Sequence, residues 1–122
     1  MPKRQSVFVV DDDFSILTSI SRLLRAHGFV ATPFNSAAAL LDHDGMESAF
    51  CIVLDIDLDG SSGIGLRRSL TEKGVTAPVI YMTGNDSPAT RTAAIASGCV
   101  AYLTKPFSAE ALIDPVTRAA AA

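Results

Sequence analysis

The chain carries only two cysteines, Cys51 and Cys99, and no C-x-x-C pair. That argues against zinc-ribbon and dithiol redox chemistry. Both cysteines stand in apolar, strand-like runs and are expected to be buried and reduced. There is no basic run: Lys3, Arg4, Arg67, Arg68, Lys73, Arg91 and Arg118 are scattered, and the net charge is −3. A nucleic-acid surface needs a basic patch, so direct nucleic-acid binding is not expected. The N-terminus MPKRQSVFVV lacks the roughly 7–15-residue apolar core and the cleavage site of a signal peptide. No apolar run approaches the roughly 18 residues of a membrane span. Internal repeats and low-complexity linkers are also missing. From these absences we expect a cytoplasmic chain with no membrane or nucleic-acid partner. What is present is a sequence of 122 residues, 48% hydrophobic and 19% charged, enough for one domain (1–122) with a buried core.

Short apolar runs alternate with helical patterns. VFVV (7–10) is continuous and β-branched, as in a strand covered on both faces. It is followed by a stripe of Leu17, Ile20 and Leu24 at helical spacing, stopped at Gly28. FVATPF (29–34) reads as an edge strand because of Pro33, and 36–43 as a helix. FCIVLD (50–55), PVIYMT (78–83) and CVAYLT (99–104) are further strands. Helices are expected over 63–73, over 88–97 with Ser87 as cap and Gly98 as stop, and from Ser108 onward. The alanine-rich tail is expected to fray. This βαβα alternation implies a parallel sheet with helices on both faces.

The polar residues then fall in one pattern. Asp11, Asp12 and Asp13 follow the first strand, Asp55 ends the third, Thr83 ends the fourth, and Lys105 follows the fifth. In an open parallel sheet the carboxyl ends share one edge, where ligands bind. Two carboxylates about 4 Å apart repel by roughly 4 kcal/mol at an effective dielectric near 20, so Asp12 and Asp55, with Asp11 nearby, call for a cation. Hard oxygens suit Mg2+, which then accepts phosphate oxygens. A carboxylate can attack phosphorus to give an aspartyl phosphate, with Thr83 and Lys105 to bind the arriving oxygens. Asp13 reads more simply as a helix cap.

The stretch VLDIDLDGSSGIGL (53–66) admits rival readings. A calcium loop needs an incoming helix and a closing bidentate Glu, whereas a strand enters here and Leu66 stands at the closing position. The glycines lack the G-x-G-x-x-G spacing of a dinucleotide loop. A small aspartyl-phosphate phosphatase of haloacid-dehalogenase type would use Asp55 as nucleophile and Asp57 as acid/base. It leaves Asp11 and Asp12 without a role.

The segments VVDDD (9–13), VLDIDL with Gly63, YMTG (81–84) and YLTKPF (102–107) resemble the response-regulator receiver domains of the CheY-like superfamily, nearest their FixJ-type branch. The resemblance spans essentially the whole chain. It implies a flavodoxin-like, doubly wound (βα)5 fold with a five-stranded parallel sheet in the order 2-1-3-4-5. It also implies a two-component phosphoacceptor, not an enzyme with a separate substrate. Asp55 would take a phosphoryl group from a sensor histidine kinase. Asp11, Asp12, Asp55 and the backbone carbonyl of Asp57 would hold Mg2+. Thr83 and Lys105 would bind phosphoryl oxygens, Thr83 and Tyr102 would move on activation, and Lys105–Pro106 would be a cis peptide. An output domain or partner protein, and homodimers on phosphorylation, are further family expectations. A phosphorylation-independent binding module of the same fold is the other alternative. For Tyr102, a plain half-buried ring on an outer strand remains an equal reading.

Three positions depart from the family pattern. Asp59 stands where receivers carry proline, so a looser loop is expected. Asp57 adds a carboxylate beside the phosphoryl site and is expected to bind a water or to alter metal affinity, and to change the dephosphorylation rate. Pro115 falls inside the last helix, where it costs about 3 kcal/mol or forces a kink, which puts the usual dimer in doubt.

Overall fold

The computed structural model describes residues 6–121; Lys3, Arg4 and the last alanine lie outside them. Five parallel strands form one sheet: β1 (Ser6–Val10), β2 (Val30–Phe34), β3 (Cys51–Asp55), β4 (Val79–Thr83) and β5 (Ala101–Thr104). Their order is β2-β1-β3-β4-β5, the expected 2-1-3-4-5. The three inner strands are the continuous apolar runs. Every residue of β3 and β4 is buried, and so are four of the five in β1. β2, with its exposed Pro33, and β5 are the edges.

Side chains alternate across these strands and divide the core into two layers. Phe8, Val10, Ile52, Leu54 and Tyr81 meet α2 (Ala37–Leu41), α3 (Gly63–Glu72) and α4 (Pro88–Ala96) through Leu40, Leu66, Leu70 and Ala94. Val7, Val9, Val53, Ile80 and Met82 meet α1 (Phe14–Ala26) and α5 (Ala109–Ala121) through Leu17, Ile20, Leu24, Leu112 and Val116. The helices start at side-chain caps: Asp13, Ser36, Ser62 and Ser87 each accept from a backbone N–H one turn in. Ser108 Oγ does the same for Ala111.

Several expectations need correction. α2 stops at Leu41, short of His43, and β5 begins only at Ala101. Cys99 therefore precedes the strand and is only partly buried, unlike Cys51. The segment after β3 is not loose. Asp57–Leu58 pairs with Ser61–Ser62 in an antiparallel ribbon, turned at Gly60 with φ 74°, a conformation that favours glycine. α5 passes Pro115 without a break. A mid-helix proline costs about 3 kcal/mol, and burying Leu112 or Val116 on the same helix contributes roughly 1.5–3 kcal/mol each. Packing is therefore large enough to carry the helix through.

Candidate functional site

The carboxyl edge of the sheet gathers the acids. β1 delivers Asp11, which is 0% exposed, and the adjacent, exposed Asp12; β3 delivers Asp55, which is 3% exposed. Each of these three offers an oxygen within 4.8 Å of the others. Lys105, just past β5, crosses the cleft and donates from Nζ to Asp11 Oδ2 at 2.8 Å and to Asp55 Oδ2 at 3.2 Å. Backbone amides orient the remaining oxygens. Asp13 N–H donates to Asp11 Oδ1 at 2.8 Å, Asp57 N–H to Asp55 Oδ1 at 3.0 Å, and Asp59 N–H to Asp12 Oδ2 at 2.8 Å. The Lys105–Pro106 peptide is cis. The cleft encloses about 380 Å³ and stays open to solvent beside Asp12, Asp57 and Asn85.

Local sequence explains the approach of these groups. Gly63 opens α3 against the end of β3, and its N–H donates to the Ile56 carbonyl at 2.9 Å. A Cβ at Gly63 would collide with the Asp55 carbonyl oxygen and come within 3.0 Å of the Ile56 Cα. Only glycine allows this contact. The first two glycines of the G-x-x-G-x-G pattern are thus accounted for by a turn and a close approach, without a nucleotide.

Charge in the cleft is unbalanced toward the negative. Burial pushes the Asp55 carboxyl up to about 6; the Asp57 N–H pulls it down, the Asp11 charge raises it further, and Lys105 lowers it. Burial works against the Lys105 ammonium, but Asp11 and Asp55 outweigh it and hold that group above the ordinary lysine value. One ammonium therefore serves two buried carboxylates while Asp12 stands beside them. That arrangement suits a further cation.

Thr83 is fully buried at the end of β4. Its hydroxyl donates to Asp57 Oδ2 at 2.6 Å, and its oxygen accepts from Asn85 N–H at 3.0 Å. Tyr102, half-buried on the edge strand, turns its hydroxyl outward to Asp86 Oδ1 at 2.8 Å, with the Arg91 guanidinium 4.6 Å from the ring centroid. Sequence reasoning did not find the partners Asn85, Asp86 and Arg91, nor the amide of Asp59. For Asp59 a signal existed, since the absence of proline there leaves an N–H. The phosphatase reading loses ground, because the Asp57 carboxylate is engaged by Thr83 and the acids clustered with Asp55 are Asp11 and Asp12.

The model of the response regulator receiver domain matches residues 7–117. The regulator TmoT of Ectopseudomonas mendocina is 33% identical over 113 residues, 93% of this chain and 51% of its own. The transcriptional regulatory protein FixJ of Azorhizobium caulinodans is 36% identical over 116 residues, 95% and 55% of the two chains. The chain thus spans about half the length of the curated relatives it matches. Among solved structures, the response regulator StyR superposes with a TM-score of 0.84 at 37% identity, covering 95% of this chain and 59% of that one. The BeF3-activated receiver domain of DrrB gives 0.84 at 28%, covering 97% and 98%. No described helix is long and apolar enough to cross a membrane. With an acidic pocket at the carboxyl edge of a 2-1-3-4-5 sheet and a family match over nearly its whole length, the chain belongs to the response regulator receiver domains, the phosphoacceptor modules of two-component signalling.

Proposed function

We propose that Asp55 is the phosphoacceptor, taking a phosphoryl group from a phosphohistidine on a sensor histidine kinase. The observation that carries this reading is the bridging of buried Asp55 and Asp11 by one ammonium, Lys105. An Asp55 carboxylate oxygen attacks phosphorus, the P–N bond breaks with its electron pair returning to the imidazole, and that nitrogen takes up a proton. Lys105 is already within reach of Asp55 and pairs with the new phosphoryl oxygens. Burial raises the Asp55 carboxyl, while the Asp57 N–H and the Lys105 ammonium favour the ionised form that acts as nucleophile.

The donor set is all hard oxygen, which fits Mg2+. Asp12 and Asp55 would hold the ion directly, with Asp11 behind them and the Asp57 carbonyl as a further ligand. When bound, Mg2+ supplies positive charge that offsets the carboxylates and the phosphoryl oxygens.

The phosphoryl group adds roughly two negative charges and three acceptor oxygens. Thr83 moves toward them, Tyr102 follows inward, and the helix 4–strand 5–helix 5 face changes population between two packings. Because relatives such as FixJ are named transcriptional regulators, we propose an output domain or partner that acts on transcription, homodimers formed on phosphorylation, and a cytoplasmic setting. Residues 1–122 form a single receiver domain in this reading.

Incubation with acetyl phosphate and Mg2+ tests the assignment. One phosphoryl mass should be gained by the wild type and lost in Asp55→Asn. Uptake that persists in Asp55→Asn overturns it.

A further inference from the structure

We infer that the Asp57 carboxylate is a latch on Thr83, holding its hydroxyl in the resting state until the neighbouring aspartate is phosphorylated. The inference rests on the reading of Asp55 as phosphoacceptor.

A threonine hydroxyl has one proton to donate. Here that proton goes to Asp57 Oδ2 across 2.6 Å, while the oxygen already accepts from Asn85 N–H at 3.0 Å. The side chain is buried and its one proton is already committed. A short bond to an ionised acceptor is of the strong kind, so Thr83 cannot bind a phosphoryl oxygen without first leaving Asp57.

The same carboxylate is tied to the acceptor. Asp57 N–H donates to Asp55 Oδ1 at 3.0 Å, and Asp57 lines the cleft with Asp12, Asp55 and Lys105. Its own exposure lets it move. When Asp55 gains a phosphoryl group, the new anion repels the Asp57 carboxylate and attracts the Thr83 proton. Both forces act in one direction: the holder is pushed toward solvent as the held group is drawn inward. Asp57 is therefore a positioning residue that sets how readily Thr83 leaves its resting place.

Two measurements on the full chain test the latch. In metal-free protein, the methyl couplings of Thr83 report its χ1 rotamer by NMR. Wild type should show one rotamer, Asp57→Ala an average of several, and Asp57→Asn, which keeps a neutral acceptor, an intermediate. With acetyl phosphate and Mg2+, the labelling rate should rise by roughly threefold to tenfold in Asp57→Ala, the scale of releasing one charge-assisted hydrogen bond partly replaced by water. The rise should be absent when the same change is made in a Thr83→Ala background. A single unchanged rotamer in Asp57→Ala, or an equal rise with and without Thr83, overturns the latch. The second result would mean that removing charge from the cleft is enough. Should Asp57→Ala fail to fold, Asp57→Asn carries both measurements. Failure of the phosphoacceptor reading is a different result: no label on wild type, or label retained in Asp55→Asn.

Discussion

The backbone N–H of Asp59 donates to the Oδ2 of Asp12, 47 residues away, at 2.8 Å. A proline at position 59 could not make this bond, because it has no N–H. The residue in place of proline therefore gives the loop after β3 a grip on the exposed acid of the cleft, and the paired ribbon of 57–58 with 61–62 holds that amide in position.

Asp59→Pro should weaken Mg2+ binding by roughly threefold to tenfold, since Asp12 loses the bond that orients it. Asp59→Ala keeps the amide and should stay within about twofold of wild type. Calorimetric titration with MgCl2 separates the two. Equal losses in both variants would locate the effect in the Asp59 side chain.

Gly63→Ala should destabilise the fold by about 2 kcal/mol or more, because the added Cβ meets the Asp55 carbonyl oxygen and no flexible side chain lies there to yield. Urea denaturation measures it. Gly65→Ala, at a helical site where the Cβ has ordinary contacts, should be neutral or stabilising.

Asp55 makes metal-free stability depend on pH. Its folded value, about 6, lies above the ordinary 3.8, so the folded state binds the extra proton between these values. The stabilisation is fully present below about pH 4 and is lost as pH rises through about 6. Asp55→Asn should accordingly raise metal-free stability at pH 7 by on the order of 1–2 kcal/mol, with no gain below about pH 4. Thermal melts in EDTA at both pH values decide it. A gain independent of pH would exclude the buried charge as its cause.

Tyr102 should ionise far above a free tyrosine. Burial and its hydrogen bond to the Asp86 carboxylate push it up to about 12, and that same bond is the first cause that lowers the Asp86 carboxyl. In Asp86→Asn the Tyr102 midpoint should fall toward the ordinary 10. The chain has two tyrosines and no tryptophan, so absorbance at alkaline pH resolves the shift, with Tyr102→Phe identifying the band. An unmoved midpoint would show that the Asp86 contact is not what holds the ring outward.

Cys51 and Cys99 show where local sequence runs out. Both stand in apolar runs, yet only Cys51 lies on an inner strand, where burial pushes its thiol up to about 12. Cys99 precedes an edge strand that begins only at Ala101, and is only partly buried. Likewise the Ala/Leu run after Ser36 supports helix anywhere within it, and the helix that forms packs Leu40 into the core and stops at Leu41.

The amino-acid sequence by itself determined the five strands, the caps at Asp13, Ser87 and Ser108, and the meeting of Asp11, Asp12, Asp55 and Lys105. Those follow from hydrophobic period and from a topology that sends every parallel strand's carboxyl end to one edge. Only the tertiary structure decided that Thr83 is held by Asp57, Asp12 by the amide of Asp59, and Tyr102 by Asp86. Such bonds join segments that are distant in the chain, 26 residues apart for Thr83 and Asp57. They depend on rotamers and turn geometry, which leave no periodic trace in the chain.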